Sequence, residues 1–564
     1  MSKRRHDDEL PKPDPPLKRP RMNENGHQTD HLSSLSNEVL LHILSFLTIP
    51  SLLTCQRLSH RFYALAGDSE LWKRQYFTKW VGPRARRLAN SRRTSFYQTR
   101  FKYSPKVSTW LDHAHLDRRD QATSWKRQYQ LRHNWSKGTC RVTKVEIPQP
   151  PRSPMLATFC AGFVFTADSG GGLRAWSAEN PKICKAGLAF AKHELQAQAA
   201  PTALTATSGL EKHSVEIAVG FDDGRLRVYK MAITGLQLET RFSSSKPVNG
   251  AITAMASSYP YLMVVSKHRV LSLFKLPPRA DDPNLADEAH LVASLKADII
   301  LSPMSLSVRH AGAEIIASVV YSFLHPGCGW ALGVQELHFD QTGQQTKSRI
   351  TTTVDTQHGA HLHPLPRARS GLAPTLDFEV NTPSQLSSIL PAILHQDPPT
   401  CVSYSHPYLL TSHADNTLTV YLVVSTATDL YIKGGQRLWG HTSSVSAVQV
   451  SDRGKAVSVS SGGDEIRIWE LENLVSSFGS QRMFRADKSI KVNPENHQRL
   501  EGADGQGVLS RISRREFGET EAQPVNMPQK LVRTRFCVGF DDERLLLLRD
   551  KDQGNQLLES YDFR

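Results

Sequence analysis

Residues 34–73 read SLSNEVLLHILSFLTIPSLLTCQRLSHRFYALAGDSELWK, and this stretch decides how the N-terminal part of the chain folds. Apolar residues recur in its first half at the spacing of one helical face, namely at Leu35, Val39, Leu40, Ile43, Leu44 and Leu47. Ser36 is placed to cap this helix, and Pro50 follows it at a natural break. Further apolar stretches cover residues 52–58 and 62–65. Three short helices have too little interior to bury so much apolar surface, so we predict a permanent partner.

The stretch closely resembles an F-box, the motif that docks a substrate receptor onto the Skp-type adaptor of cullin-RING ubiquitin ligases. The usual Leu-Pro opening is Leu35-Ser36 here. By resemblance, the adaptor-binding residues are Leu35, Glu38, Val39, Leu40, Ile43, Leu44, Leu47, Leu52, Leu53, Cys55, Leu58, Leu65, Leu71 and Trp72. The alternative is an ordinary small helical bundle that packs onto the rest of the chain.

Positive charge is concentrated in one part of the chain. The 564 residues carry a net charge of +15, and residues 73–137 alone contain 17 Lys or Arg against 3 Asp. Such a segment could be a patch for nucleic acid or for an acidic partner. It is more often the solvated face of helices, and we favour that interpretation, so nucleic acid is not an expected partner.

The first 31 residues are rich in Pro and charge, and we expect them to be disordered. They contain two basic clusters that resemble a bipartite nuclear import signal, formed by Lys3, Arg4, Arg5, Lys18, Arg19 and Arg21. No apolar run reaches the length of a membrane span, and no cysteine pair has the spacing of a zinc or redox motif. We therefore expect a location in the nucleus, the cytoplasm or both, with no membrane partner.

A repeat becomes visible when the remainder of the chain is aligned with itself. VGFDDGRLRVYK at 219–230 reappears as VGFDDERLLLLR at 538–549, and related units end at Trp176, Phe274, Tyr421 and Glu470. Each unit is a β-rich run, a polar turn and an alternating strand, which is typical of two antiparallel strands joined by a tight turn. With a preceding and an outer strand, each unit predicts one blade of a propeller.

The unit at 439–470 resembles a WD repeat closely, with Gly440-His441 at its start and Trp469-Glu470 at its end. The resemblance implies a buried hydrogen-bond chain of His441, Ser460, Asp464 and Trp469. In other blades the turn position is occupied by Asp223, Asp415 and Asp542.

Six such units are clear, and the stretches 304–309, 314–323 and 330–339 predict a seventh. The strand TCRVTKVEI at 139–147 precedes the first blade, and we predict that it closes the ring as the outer strand of the last blade. Residues 277–289, 341–399 and 479–529 do not fit blades and are expected to be loops.

The predicted fold is therefore α + β and multidomain. It consists of a disordered tail (1–31), a small all-α F-box (32–80), a basic helical connector (81–137) and an all-β propeller of about seven WD-like blades (138–564), with long insertions at 341–399 and 479–529. The segment 124–138 resembles the connector of F-box/WD-repeat proteins at Trp125, Tyr129, Asn134 and Trp135.

No constellation of residues predicts catalysis. The chain lacks the GxxxxGK[ST], HExxH and GxSxG motifs. His358, His361 and His363 lie close together, but no Cys or carboxylate stands at ligand spacing, so we expect neither metal nor cofactor.

The resemblance implies the substrate-recognition subunit of an SCF-type E3 ubiquitin ligase, which binds a Skp-type adaptor and through it a cullin. The propeller would bind a protein substrate, and Arg174, Arg225, Lys267 and Arg269 are candidates for reading a phosphorylated peptide. Two alternatives remain: a scaffold that binds the adaptor without ubiquitination, and a nuclear WD-repeat scaffold associated with nucleic acid.

Overall fold

The computed structural model describes residues 32, 34–82, 118–119, 122–147, 155–190, 199–209, 214–244, 250–276, 289–296, 301–312, 314–326, 329–340, 342–354, 393–462, 465–471, 489–494, 533–550 and 556–564. The chain divides into two units, Met1–Phe77 and Thr78–Arg564. A short π-helical segment, Phe77–Val81, contains the boundary between them.

The first unit consists of four short helices: α1 (Asn37–Leu44), α2 (Ile49–Cys55), α3 (His60–Ala66) and α4 (Ser69–Tyr76). Side chains cap two of them, because Ser59 Oγ accepts the Phe62 N–H at 3.2 Å and Asp68 Oδ1 accepts the Glu70 N–H at 2.9 Å. The polar residues between the apolar runs thus define where α3 and α4 begin.

One buried cluster holds the four helices together. It contains Leu40, Leu44, Leu52, Leu65, Ala66 and Leu71. Trp72 is also buried, and its Nε1 donates to the Ala66 carbonyl at 2.9 Å. The same carbonyl accepts from Gln56 Nε2 at 2.9 Å, so the end of α3 is tied to both α2 and α4.

The second unit is a propeller of seven sheets. Blade 1 contains β4 (Leu156–Cys160), β5 (Phe163–Asp168), β6 (Gly172–Ser177) and β7 (Cys184–Leu188). Blade 2 contains β8 (Pro201–Ser208), β9 (Ser214–Phe221), β10 (Leu226–Ala232) and β11 (Gln237–Ser243). Blade 3 contains β12 (Ile252–Ser258), β13 (Tyr261–Ser266), β14 (Val270–Lys275) and β15 (His290–Lys296). Blade 4 contains β16 (Leu301–Ala311), β17 (Glu314–His325), β18 (Gly329–Phe339) and β19 (Gln345–Thr352).

Blade 5 contains β20 (Cys401–Ser405), β21 (Tyr408–Ser412), β22 (Leu418–Ser425) and β23 (Leu430–Leu438). Blade 6 contains β24 (Val445–Val450), β25 (Lys455–Ser460), β26 (Ile466–Glu470) and β27 (Ile490–Lys491). Blade 7 contains β29 (Arg533–Phe540), β30 (Arg544–Asp550), β31 (Gln556–Asp562) and β3 (Thr139–Ile147), which is extended by β28 (Asn493–Pro494). A separate hairpin is formed by β1 (Arg118–Arg119) and β2 (Ala122–Thr123).

Burial explains why the second strand of each blade reads as a continuous apolar run. Every residue of β9 (SVEIAVGF) and of β13 (YLMVVS) is buried, because a neighbouring blade packs on each face of the sheet. Outer strands such as β11 (QLETRFS) and β19 (QTKSRITT) expose most of their residues and are correspondingly polar. The repeat signal in the sequence therefore comes from the inner strands.

The ring closes as the sequence predicts. The innermost strands β4, β8, β12, β16, β20, β24 and β29 follow one another, and β29 adjoins β4. β3 pairs antiparallel with the whole of β31, from Arg141–Asp562 to Ile147–Gln556. The outer strand of the last blade thus comes from the N-terminal side of the propeller, and the seven predicted blades are confirmed.

Strands also occur inside two stretches that the sequence assigns to loops. β19 lies within 341–399 and is the outer strand of blade 4, while β27 and β28 lie within 479–529. Outer strands expose most of their side chains, so they lack the apolar alternation that reveals a strand in the sequence.

Helix α5 (Trp125–Lys137) precedes β3 and belongs to the second unit. It ends at Gly138, whose φ of 70° places it in the left-handed region favoured at helix ends. A side chain at Gly138 would overlap the backbone oxygen of Lys491. Only glycine therefore fits between the helix, β3 and blade 6.

Several predicted features lie outside the described residues. They are the tail 1–31 with its two basic clusters, most of the basic connector, the histidines at 358–363, and Asp464.

Candidate protein-interaction surfaces

The four-helix unit exposes large apolar side chains although it already has a core. Val39 and Ile43 on α1, Leu53 on α2 and Leu58 after it are all exposed. Phe46 and Tyr63, which the sequence analysis does not include among the adaptor-binding residues, are exposed as well. We call Val39, Ile43, Phe46, Leu53, Leu58 and Tyr63 the F-box apolar surface. So many exposed large apolar residues in so small a unit mark an interaction site.

The predicted adaptor-binding residues divide into two groups in the structure. Val39, Ile43, Leu53 and Leu58 belong to the F-box apolar surface, and Glu38 is exposed beside them. The remaining ones face inward, either fully buried (Leu40, Leu44, Leu52, Leu65, Leu71 and Trp72) or partly buried (Leu35, Leu47 and Cys55). The buried group forms the core of the unit. These residues can affect adaptor binding only indirectly, by holding the exposed residues in position.

Polar contacts fix α1 against α3 and α4. Arg61 Nη2 donates to the Leu35 carbonyl at 2.6 Å and to Asn37 Oδ1 at 2.8 Å. Arg74 Nη1 donates to Ser45 Oγ at 3.0 Å, and Gln75 Nε2 donates to the Leu47 carbonyl at 3.1 Å. The start and the end of α1 are therefore both anchored, and Val39 and Ile43 lie between the two anchors.

Blade 6 contains the hydrogen-bond chain of a WD repeat with Ser458 in place of Ser460, while the predicted Asp464 lies outside the described residues. Trp469 Nε1 donates to Ser458 Oγ at 2.8 Å, and the same hydroxyl lies 2.6 Å from His441 Nε2. Ser458 therefore takes the place that the sequence assigns to Ser460, two residues further along the same face of β25. Ser460 Oγ instead accepts the Glu465 N–H at 3.1 Å.

Among the described residues, Glu465 is the carboxylate next to this chain, with its Oε2 3.4 Å from His441 Nδ1. Burial opposes its ionisation, but the hydrogen bond from the Thr442 backbone and the Arg467 guanidinium lower the pKa of Glu465 to about 2. Burial lowers the pKa of His441 to about 4, more than the nearby carboxylate raises it. His441 is thus neutral at pH 7 and can accept a hydrogen bond from Ser458.

The last repeat unit is offset relative to the sequence alignment. VGFDDGRLRVYK contains the turn between the second and third strands of blade 2, and Asp223 Oδ1 accepts the Arg225 N–H there at 2.9 Å. VGFDDERLLLLR instead contains the turn between the first and second strands of blade 7. Asp541, not Asp542, stabilises that turn by accepting the Glu543 and Arg544 N–H groups at 2.7 and 2.6 Å.

Asp542 links elements instead. Its carbonyl accepts Trp135 Nε1 of α5 at 2.6 Å, and its carboxylate pairs with Arg453 of blade 6 at 2.7 Å. Asp415 does have the predicted turn function, because its carboxylate accepts the Thr417 N–H at 3.1 Å and the Thr417 hydroxyl at 2.6 Å.

Helix α5 packs on one edge of the propeller, at blades 6 and 7. We call this the connector edge; it contains the turns between the first and second strands of each blade, such as 451–454 and 541–543. Trp135 stacks on Phe563 with ring centroids 3.8 Å apart, and Lys455 Nζ lies 3.9 Å from the centre of the Trp135 indole. Burial lowers the pKa of this lysine to about 8.

Polar contacts reinforce that packing. Asn134 Nδ2 donates to the Phe563 carbonyl at 2.8 Å, and Arg132 pairs with Glu470 at 3.4 Å. Lys79 and Trp80 lie against the same helix, because Lys79 Nζ donates to Tyr129 Oη at 2.9 Å and the Trp80 and Tyr129 rings are 4.7 Å apart. Trp135 and Asn134 of the predicted connector motif thus fasten α5 to the propeller, whereas Tyr129 holds Lys79 and Trp80 against the helix.

The opposite edge, which we call the distal edge, contains the turns between the second and third strands. Arg174, Arg225, Lys267 and Arg269 all lie there. Arg174 forms an ion pair with Asp168 and Arg225 forms one with Asp223 at 2.9 Å, so each has a carboxylate partner within its own blade. Lys267 and Arg269 are exposed.

The sequence analysis missed three exposed apolar residues on the distal edge: Leu324, Leu394 and Trp439. Leu394 lies inside a stretch predicted to be loop, and single apolar residues near turns carry no periodic signal.

Among the described residues, no helix is both long and apolar enough to cross a membrane. Within the same residues, no group of three His, Cys, Asp or Glu side chains is arranged to hold a metal ion.

A small helical F-box followed by a seven-bladed propeller defines an F-box protein of the receptor or adaptor type. Known families agree with this class. The F-box-like family matches residues 32–78, and the family described as F-box protein pof12 beta-propeller matches residues 140–564. The chain belongs to that pof12 beta-propeller family. The F-box in turn implies binding to a Skp-type adaptor.

Two curated relatives are similar to this chain. F-box protein pof12 of Schizosaccharomyces pombe is 20% identical over 454 residues, which cover 78% of this chain and 84% of that protein. F-box protein dre-1 of Caenorhabditis elegans is 42% identical over 53 residues, which cover 9% of this chain and 6% of that protein.

Solved propellers resemble the chain more distantly. The Cps50 (Swd1) propeller of Myceliophteria thermophila is 9% identical and has a TM-score of 0.35, covering 74% of this chain and 99% of that one. The WD40 propeller of Doa1 is 10% identical with a TM-score of 0.35, covering 74% of this chain and 95% of that one.

Proposed function

We propose that this protein is the substrate-recognition subunit of an SCF-type E3 ubiquitin ligase. In this role the F-box binds the Skp-type adaptor, the adaptor brings a cullin, and the propeller holds the protein to be ubiquitinated. The observation that carries the proposal is the F-box apolar surface, which stays exposed on a unit that has already buried a core of its own.

A partner that covers this surface would remove several large apolar side chains from water. Full burial of one such side chain is worth about 1.5–3 kcal/mol. The residues of the F-box apolar surface are 40% to 70% exposed, so each contributes part of this value, and their sum is of the same order as the entropic cost of association, about 4–15 kcal/mol. The F-box apolar surface therefore supplies much of the free energy that association with a partner requires.

The propeller supports the receptor part of the proposal through its two different edges. The connector edge at blades 6 and 7 is occupied by α5, whereas Leu324, Leu394 and Trp439 on the distal edge are exposed. The receptor would contribute only by holding a substrate on the distal edge close to the ubiquitin-charged E2 enzyme. Fixing two reactants in this way converts a bimolecular step into an almost intramolecular one, so the receptor needs no catalytic group.

The test is affinity purification of the full chain beside a Leu53→Asp/Leu58→Asp variant and a Leu291→Asp control. Leu291 is an exposed apolar residue on the outer strand of blade 3. We expect the wild type and the control to recover both adaptor and cullin, and the variant to recover neither. Purified complexes should then ubiquitinate a co-purified protein when E1, E2 and ubiquitin are added.

Other outcomes separate the alternatives. Recovery of the adaptor without any cullin would point to a scaffold outside ubiquitination. Nucleic acid that is released by salt, and lost when Arg86, Arg87, Arg92 and Arg93 are neutralised, would favour the nuclear scaffold. Either result would displace the receptor assignment.

We also propose entry into the nucleus through the basic clusters 3–5 and 18–21. Substitution of Lys3, Arg4 and Arg5 by Ala in a fluorescently tagged chain should shift the signal to the cytoplasm. An unchanged distribution would contradict this part of the proposal.

A further inference from the structure

We propose that a strip of four apolar residues and one arginine on the distal edge of blades 4 to 6 binds a substrate segment that combines apolar side chains with acidic groups. The strip consists of Leu324, Trp330, Leu394, Arg437 and Trp439, and we call it the distal strip. The proposal rests on the receptor function proposed above and assigns that receptor a class of substrate.

Backbone and side-chain contacts connect the residues of the distal strip to one another. Leu324 of β17 pairs with Trp330 of β18, and the Trp330 N–H donates to the His395 carbonyl at 2.8 Å. Leu394 is therefore held next to the edge of β18. The Leu394 carbonyl in turn accepts Arg437 Nη2 at 3.4 Å. The Arg437 guanidinium lies 5.9 Å from the centre of the Trp439 ring, which ends the strip.

Exposure distinguishes this strip from the rest of the propeller. Leu324, Leu394 and Trp439 are 61%, 58% and 56% exposed. The other large apolar residues exposed in the described propeller lie elsewhere: Ile183 in a turn of the connector edge, and Leu291 and Ile350 on outer strands. Exposed apolar residues on the described distal edge are thus gathered in one place, as they are at interaction sites.

The blade that carries Leu324 and Trp330 is also unusual in length. Its second and third strands have 12 and 11 residues, whereas those of the other blades have 5 to 8. The longer hairpin provides additional length of sheet on which a partner can lie. About four extra residues in each strand correspond to roughly 13 Å.

The positive charge beside the apolar residues indicates which kind of ligand the distal strip binds. Arg437 is partly exposed, and its carboxylate contact among the described residues is a loose one, since its Nη1 lies 3.8 Å from Asp415 Oδ2. Lys267 and Arg269 are exposed in the corresponding turn of the neighbouring blade 3. A peptide with acidic groups between apolar anchors complements this arrangement, because charge-assisted bonds to Arg add to apolar contacts.

The test uses the intact protein and a random heptapeptide library displayed on phage. Selected sequences are synthesised with a fluorophore, and their binding is measured by fluorescence anisotropy. We expect selected peptides to contain at least two apolar residues and one Asp or Glu. Trp439→Ala and Leu394→Asp should each weaken binding about tenfold or more, as expected for central anchors of an interface.

Ile350→Asp is the matched control, because Ile350 is 60% exposed but lies on the outer strand β19. It should bind the peptides as the wild type does. Replacing the acidic residue of a peptide by Lys should weaken binding, and replacing it by phosphoserine identifies whether carboxylate or phosphate is preferred. Enrichment of no peptide, of peptides without acidic groups, or equal loss in Ile350→Asp would overturn the proposal.

One competing occupant is the chain itself. Residues 376–380 read LDFEV, which has the same mixture of apolar and acidic residues, and residues 355–392 join Val354 to Ile393 beside the strip. If peptides bind only after residues 355–392 are replaced by a Gly-Ser linker, the occupant is this segment and the substrate assignment is overturned. Adaptor recovery by the same variants keeps a failure of the strip distinct from a failure of the receptor function.

Discussion

The two units differ in how completely they bury their apolar residues. The propeller buries its largest apolar side chains between blades and closes into a ring through β3, so each sheet covers its neighbours. The F-box buries one small cluster and leaves Val39, Ile43, Phe46, Leu53, Leu58 and Tyr63 exposed. Among the described residues, the propeller leaves few large apolar side chains exposed for its size, whereas the much smaller F-box leaves the six residues of the F-box apolar surface exposed.

The comparison shows that apolar content alone does not separate core from interface. Leu40 and Leu44 belong to the F-box core, while Val39 and Ile43 of the same helix are exposed. Substitutions in the propeller should therefore act mainly on stability, and substitutions of the exposed F-box residues mainly on binding.

The largest expected effect on stability is at the ring closure. Gly138→Ala places a methyl group against the Lys491 backbone and forces a residue with a side chain to adopt a positive φ. We expect it to lower the free energy of unfolding by about 3 kcal/mol or more, measured by urea denaturation. Gly162 has φ 78° but meets no atom within 4 Å. The control Gly162→Ala should cost only about 1 kcal/mol, and equal losses would show that the closure contact is unimportant.

The hydrogen-bond chain of blade 6 should have the next largest effect. Ser458→Ala leaves two buried partners, His441 and Trp469, without their hydroxyl, so we expect a loss of about 2 kcal/mol. Ser460→Ala removes one bond, to the Glu465 N–H, and should cost about 1 kcal/mol. If thermal or urea unfolding showed a larger loss of stability for Ser460→Ala than for Ser458→Ala, Ser460 would be the member of the hydrogen-bond chain that the sequence predicts.

Acid should weaken the propeller before it weakens the F-box. Burial lowers the pKa of His395, His413 and His441 to about 4, 3 and 4, below the value of about 6.5 for an unfolded histidine. The unfolded chain therefore binds more protons, and the stability that neutral histidines provide above pH 6.5 is lost as pH falls towards 4. Each contributes roughly 1.4 kcal/mol per pH unit in that window.

Unfolding measured at pH 7, 6 and 5 checks this expectation. His413→Gln should reduce the pH slope. An equal slope in His413→Gln and the wild type, or an acid transition of the F-box that precedes that of the propeller, would contradict the account.

The sequence predicts the architecture well because its signals are periodic. The helical spacing of residues 35–47 and the buried second strands of the blades repeat along the chain, so the F-box, the seven blades and the closing strand are all recognised. Turn chemistry is equally local, and Asp223 and Asp415 hold the turns in which the sequence places them.

The errors arise where the relevant contact is not local. VGFDDERLLLLR shares seven of its twelve residues with VGFDDGRLRVYK, yet it spans the first and second strands of blade 7, whose outer strand comes from residues 139–147. Ser458 and Ser460 lie on the same face of β25, and only the position of His441 and Trp469 selects between them. Leu324, Leu394 and Trp439 come from three separate segments, so no window of sequence reveals that they form one strip.

The smallest expected effect on stability is also the most informative for function. Val39→Asp/Ile43→Asp changes two exposed residues of α1, so unfolding should shift by no more than about 0.5 kcal/mol. The matched control is Ile183→Asp, since Ile183 and Val39 are both 46% exposed but Ile183 belongs to the propeller.

The most direct measurement is therefore the affinity of a purified Skp-type adaptor for the full chain, for Val39→Asp/Ile43→Asp and for Ile183→Asp, by isothermal titration calorimetry. Our account predicts tight binding to the wild type and to Ile183→Asp, and a loss of about 100-fold or more in the F-box variant, equivalent to about 2.8 kcal/mol. Equal affinity for all three proteins, or no binding by any of them, would contradict the claim that the exposed F-box residues form the adaptor-binding surface.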